Sequence, residues 1–99
     1  MSYDITTEPD TGLDWSYTYN IQPMTARAGL HSLTMLSGVR ADEAAAKLTA
    51  VIGRMEADPG DYRALNPTNE WGDYDGFIGR LCDLRDHLLA YPEVTVSVG

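Results

Sequence analysis

Two stretches hold most of the side chains able to do chemistry. One is ALNPTNEWGDYDG, residues 64–76, and the other is TYNIQPMTAR, residues 18–27. The first supplies Asn66, Asn69, Trp71, Asp73 and Tyr74; the second supplies Tyr19, Asn20 and Arg27. Amides hold backbone or ligand through paired donors and acceptors, aromatic rings stack on flat groups, and a guanidinium meets carboxylate or phosphate. Two readings of this set stand side by side. In the first, Asn20, Arg27, Asn66, Asn69, Trp71 and Tyr74 come together as a polar network that fixes a loop, because buried amides must be satisfied. In the second, they line a small pocket in which helix N-termini and Arg27 face an anion. Trp71 and Tyr74 divide the same way, as plugs of an open core end or as walls of a cleft.

Other chemistries lack their residues. His31 and His87 fall on separate predicted helices without metal-ligand spacing. The DYDG at 73–76 starts like a calcium loop, but the later side-chain ligands and the closing glutamate are missing. No glycine-rich phosphate loop follows a strand. Cys82 sits beside Leu81 on the last helix as a small hydrophobe. No nucleophile and base are paired by spacing, so neither an enzyme nor a cofactor or metal site is expected.

The elements that must position these residues follow from periodicity. Tyr3 and Ile5 alternate with polar residues, and Trp15, Tyr17, Tyr19 and Ile21 share one face of a second strand, with Ser16, Thr18 and Asn20 on the other. EPDTGLD between them reads as a hairpin connection. EVTVSVG at the C-terminus alternates through Val94, Val96 and Val98 and is expected to join the same sheet. Between the strands the period becomes helical. A first helix opens near Pro23 and carries Ala26, Leu30, Leu33 and Leu36 to a stop at Gly38. A second runs from Ala41 to Ala57 with Ala44, Leu48, Val51, Ile52 and Met55 as its apolar stripe. A short turn covers Asp61 to Leu65. The last helix runs from Asp73 to Ala90, with Asp73 as its cap and Asp75 in its first turn. Phe77, Ile78, Leu81, Leu84 and Leu88 face inward; Arg80, Asp83 and Asp86 face water. Gly53 and Gly79, inside these helices, predict close backbone approach. The order β-β-α-α-α-β predicts a single α+β domain over 1–99, a small three-stranded antiparallel or mixed sheet with three main helices on one face.

Composition bounds the partners. The 99 residues carry a net charge of −8. A surface this acidic lacks the cations that phosphate neutralisation needs, so nucleic-acid binding is not expected. No apolar run spans a bilayer and no signal peptide is visible, so a cytoplasmic, membrane-free protein is expected. A single cysteine fits a reducing compartment. Residues 15–41 contain Arg27 and Arg40 and no acid, an island that serves either an anion site or pairing with the acidic loop. Exposed edges of a small sheet make a homodimer possible.

The segments TYNIQPM at 18–24, YRALNPTNEWGDYDGF at 62–77 and YPEVTVSV near the end resemble a group of small uncharacterised proteins of actinobacterial phages and prophages. These show a Tyr-Asn or His-Asn step before Pro-Met, and Asn-Pro-x-Asn-Gly-Trp-Gly-x-Tyr before the last helix. The chain departs from that pattern at Glu70, where the group has glycine. The resemblance implies a phage origin and a role in the cytoplasm of a bacterial host. The expected function is binding and modulation of a host protein, with Glu56, Asp58, Asp61, Glu70, Asp73 and Asp75 forming a face that meets a basic partner or imitates DNA. The alternatives are a small-molecule binder, in which Tyr17, Tyr19, Trp71 and Tyr74 stack a nucleotide base over Arg27, or a virion assembly component.

Overall fold

The computed structural model describes residues 2–67 and 72–99. Three strands, β1 (Ser2–Glu8), β2 (Trp15–Thr18) and β3 (Thr95–Val98), form an antiparallel sheet in the order β2-β1-β3. Tyr3 lies opposite Tyr17 and Ile5 opposite Trp15; on the other side Thr7 lies opposite Val96. Successive residues point to opposite faces. Tyr3, Ile5, Trp15 and Val96 are therefore buried under the helices, and Asp4, Thr6, Glu8, Ser16 and Thr95 are exposed on the far face. The outer edge of β3 is covered: Gly38 N donates to Val96 O, Val96 N to Val39 O and Ala41 N to Val94 O, at 2.7–2.8 Å.

Four helices, α1 (Gln22–Arg27), α2 (Ala41–Ala57), α3 (Pro59–Arg63) and α4 (Tyr74–Ala90), complete a two-layer α+β fold. The stripes of α2 and α4 pack as their spacing requires. Ala44, Leu48, Val51, Ile52 and Met55 are buried, as are Phe77, Leu81, Leu84 and Leu88. Trp15 ties the sheet to α4: its Nε1 donates to Arg80 O at 2.8 Å. Arg80 lies with its guanidinium 5.5 Å from the Trp15 ring centre and donates to Ser16 O, so it covers an aromatic at the sheet edge rather than facing water alone.

Three local expectations are corrected. The first helix does not reach Gly38. It ends at Arg27, where Gly29 takes φ +96°, Gly29 N donates to Ala26 O and Leu30 N to Thr25 O. This pair of bonds is the Schellman closure, which requires a left-handed residue and so selects glycine. Leu33–Leu36 then form a separate 3-10 turn capped by Ser32, and Ala26 is exposed instead of in the stripe. The second strand stops at Thr18, because the Thr18 hydroxyl accepts from Asn20 N and starts a 3-10 turn over Tyr19–Ile21. Finally, Gly53 and Gly79 mark no close approach. Both are exposed, and a Cβ at either position would meet nothing within 4 Å. Alanine at each is therefore expected to raise unfolding stability by about 0.5–1 kcal/mol, from lower unfolded-chain entropy and better helix propensity. Chemical denaturation of G53A, G79A and the double variant checks this; a loss at either site would mean that the helix packs there after all.

Candidate functional site

The site builds from the entry to α4. Asp73 adopts extended backbone as N-cap, and its Oδ1 accepts from Gly76 N at 2.7 Å. Asn66 reaches across the segment, its Oδ1 accepting from Tyr74 N at 2.9 Å. One amide and one carboxylate thus satisfy two of the four donors that a helix start leaves open. Just before the cap, Gly72 takes φ +87°. A Cβ there would lie 2.7 Å from Thr18 Cγ2, 3.1 Å from Tyr17 Cε1 and 3.2 Å from Ile21 Cγ2. The missing side chain lets the hinge seat on the end of β2 and on the 3-10 turn that holds Asn20. Tyr17 completes the joint, with its hydroxyl 3.4 Å from Asp73 N and 3.5 Å from Asp73 O, and its ring 5.1 Å from that of Phe77.

Tyr74 turns inward. It is 4% exposed, and its hydroxyl donates to Met55 O at 3.0 Å near the end of α2. Tyr62 lies 6.3 Å away, centre to centre, and the Arg63 guanidinium sits 5.1 Å from the Tyr74 ring. Burial pushes the Tyr74 phenol above its usual range, while the Arg63 charge opposes that rise. Arg63 is also bound to Asp75, at 2.8 Å between Nη2 and Oδ1. This hydrogen bond, helped by charge, holds the Asp75 carboxyl below the usual carboxylate range. Arg27 forms an ion pair with Asp61 of α3. The partner of Arg27 is thus a helix residue and not one of the acidic loop at 64–76. Arg40, the other member of the basic island, pairs with Asp42 at 3.1 Å.

The structure therefore brings Tyr19, Asn20, Asn66, Asp73 and Tyr74 to one end of the molecule, with Arg27 linked to that end through α3. Tyr19 is half-buried against Tyr3, 4.4 Å between ring centres. Asn20 is exposed at the turn. Asn69, Trp71 and Glu70 lie outside the described residues. Of the six acids expected to form one face, Asp61 and Asp75 are engaged by arginines and Asp73 by its cap, leaving Glu56 and Asp58 exposed. Arg63, Tyr62 and Thr18 belong to this end and were not singled out by sequence. Nothing in the local spacing marks Tyr62 and Arg63, whose partners Tyr74 and Asp75 are more than ten positions away; Thr18 does act locally, as the cap of the 3-10 turn.

Both histidines are accounted for by ordinary contacts. His31 is exposed. His87 Nε2 lies 2.7 Å from Thr11 Oγ1, which lies 2.7 Å from the hydroxyl of buried Thr7; Thr7 in turn donates to Pro9 O. Satisfying every member of this chain requires His87 to donate from Nε2. Among the described residues no group of three or more His, Cys, Asp or Glu side chains is arranged to hold a metal ion, and no helix is long and apolar enough to cross a membrane. None of the family models, curated proteins or solved structures compared with this chain matches it significantly.

Proposed function

We infer that this chain works without catalysis, by binding a protein partner that carries a basic surface. The observation that supports this is the fate of its arginines. Arg27, Arg40, Arg63 and Arg85 are paired with Asp61, Asp42, Asp75 and Asp86. Arg54 donates to Ala28 O, where it caps α1, and Arg80 donates to Ser16 O. The arginines are spent on the protein's own fold; the one lysine, Lys47, is exposed and forms no ion pair among the described residues. Asp4, Glu8, Asp14, Glu43, Glu56, Asp58, Asp83 and Glu93 form no ion pair among the described residues, so the outward field is that of uncompensated carboxylates. Such a field steers and selects cationic surfaces and repels nucleic acid. The resemblance to phage proteins would make the partner a bacterial host protein, modulated by having a basic site covered.

Capture from actinobacterial lysate at low and high salt tests this reading. A basic protein retained at low ionic strength and released as the Debye length shrinks from about 10 Å at 0.1 M to about 3 Å at 1 M is the expected result. Capture of nothing, or only of acidic proteins, contradicts it.

A further inference from the structure

Among the described residues, the sheet has helices on one face only. The residues its strands present on the other face are hydroxyl or carboxylate side chains, with Asp4, Thr6 and Glu8 along central β1, Ser16 beside them on β2, and Thr95 and Ser97 on β3. None of the outward strand residues is a lysine, an arginine or a large apolar side chain. Ordinary surfaces mix both signs of charge, and short sheets commonly carry lysine as protection against edge pairing. Two cations border this face: Arg40, opposite Thr95, has its guanidinium turned to Asp42 and Pro92 O, and Arg80 donates to Ser16 O while lying over the Trp15 ring. The face is also not flat. A depression of about 240 Å³ lies where β3 meets residues 37 and 38, lined by Glu8, Ser37, Gly38, Thr95, Val96 and Ser97. One carboxylate-bearing and three hydroxyl-bearing residues thus line one concavity.

We propose that this open sheet face is the docking surface for a lysine- or arginine-bearing segment of the partner, with one cationic head group seated in the Glu8–Thr95–Ser97 depression and a second on Asp4. This rests on the reading above, that the partner is basic. An ammonium offers three donors and a guanidinium five, and each needs several acceptors when it leaves water. The face supplies acceptors in rows: Thr6 lies opposite Ser97 and Glu8 opposite Thr95. Asp4 and Glu8 are four residues apart on one strand, which sets their Cα atoms roughly 13 Å apart. An extended segment with basic residues at every second position matches that spacing, because its i and i+4 side chains also share one face. The exposed carboxylates at Glu56 and Asp58 lie in the last turn of α2 and on the link into α3, off the sheet.

The test uses the full chain, labelled with ¹⁵N and titrated with a twelve-residue peptide of alternating lysine and serine; the glutamate–serine peptide is the control. Amide shifts are expected to concentrate on Asp4, Thr6, Glu8, Thr95 and Ser97. Asp4→Asn with Glu8→Gln should weaken binding at least tenfold, while Glu56→Gln with Asp58→Asn should change it less than twofold. These changes keep shape and sit on exposed positions, and the spectrum of each variant reports that it is folded. Shifts centred on Glu56 and Asp58, or equal affinity for the Asp4/Glu8 variant, overturn the docking face and leave the basic-partner reading standing. Absence of any shift with the lysine peptide overturns both.

Discussion

Tyr74→Ala should cost about 3–5 kcal/mol of unfolding free energy, the range for deleting a buried aromatic from a core that cannot fully collapse around the gap. The side chain is 4% exposed, stands against Tyr62, lies under Arg63, and donates its hydroxyl to Met55 O. For a domain of this size that loss is a large part of a total that is commonly 5–15 kcal/mol. Tyr74→Phe keeps the ring and leaves the carbonyl without this donor, at an expected cost of about 1–2 kcal/mol. The same residue sets an alkaline limit. Its folded pKa is raised from 10.0 because burial disfavours the phenolate. Its contribution is therefore complete below the unfolded value and is lost as pH rises through the folded one. Stability measured by denaturant above about pH 10 should fall less steeply in Tyr74→Phe than in the parent chain. A Tyr74→Ala variant as stable as the parent would place the ring outside the core.

Gly72→Ala is the second large effect, at about 2–4 kcal/mol. Part is the cost of φ +87° for a residue with a Cβ, about 1–2 kcal/mol. The rest is overpacking, since the new atom would meet Thr18 Cγ2 at 2.7 Å and two further side-chain atoms within 3.2 Å. Its consequence is specific: it pushes the start of α4 off the end of β2 while leaving α2 and its stripe intact. Urea titration followed by Trp fluorescence reads it, because Trp15 is hydrogen-bonded to α4 at Arg80. Stability unchanged from the parent would show that the glycine has room.

Much of the architecture was legible in the sequence because long periodic stripes leave little choice. The stripes over Ala44–Met55 and Phe77–Leu88, and the alternation through Tyr3–Ile5 and Val94–Val98, each specify one face, and the helical layer and antiparallel sheet follow. The Asp73 cap was legible for the same kind of reason, as a short-range bond between a side chain and the next turn. What could not be read depends on distance along the chain. Gly29 looks like any glycine until Leu30 N turns back to Thr25 O. Gly53 and Gly79 look like contact points, but the helices pack on other faces. Arg27 carries no sign of whether it faces a ligand or Asp61, since its partner is 34 residues away. Tyr74 reads as core plug or cleft wall, and the plug is what Met55 O beneath its hydroxyl shows. The candidate site divides accordingly: Asn66 and Tyr74 bond to each other at the entry to α4, Asp73 is engaged by its cap and Arg27 by Asp61, and Asn69 and Trp71 lie outside the described residues.

The central structural claim is that the polar hinge seats the last helix on the end of the aromatic strand. A double-mutant cycle between Gly72 and Thr18 tests it most directly. Thr18→Ser removes the Cγ2 that an alanine at 72 would strike and retains the hydroxyl that caps the 3-10 turn. Thr18→Ser is expected to return at least about 1 kcal/mol of the Gly72→Ala loss, a coupling in the range found for residues in contact. Effects that simply add, within about 0.3–0.5 kcal/mol, would mean that the two residues do not meet and would contradict the account.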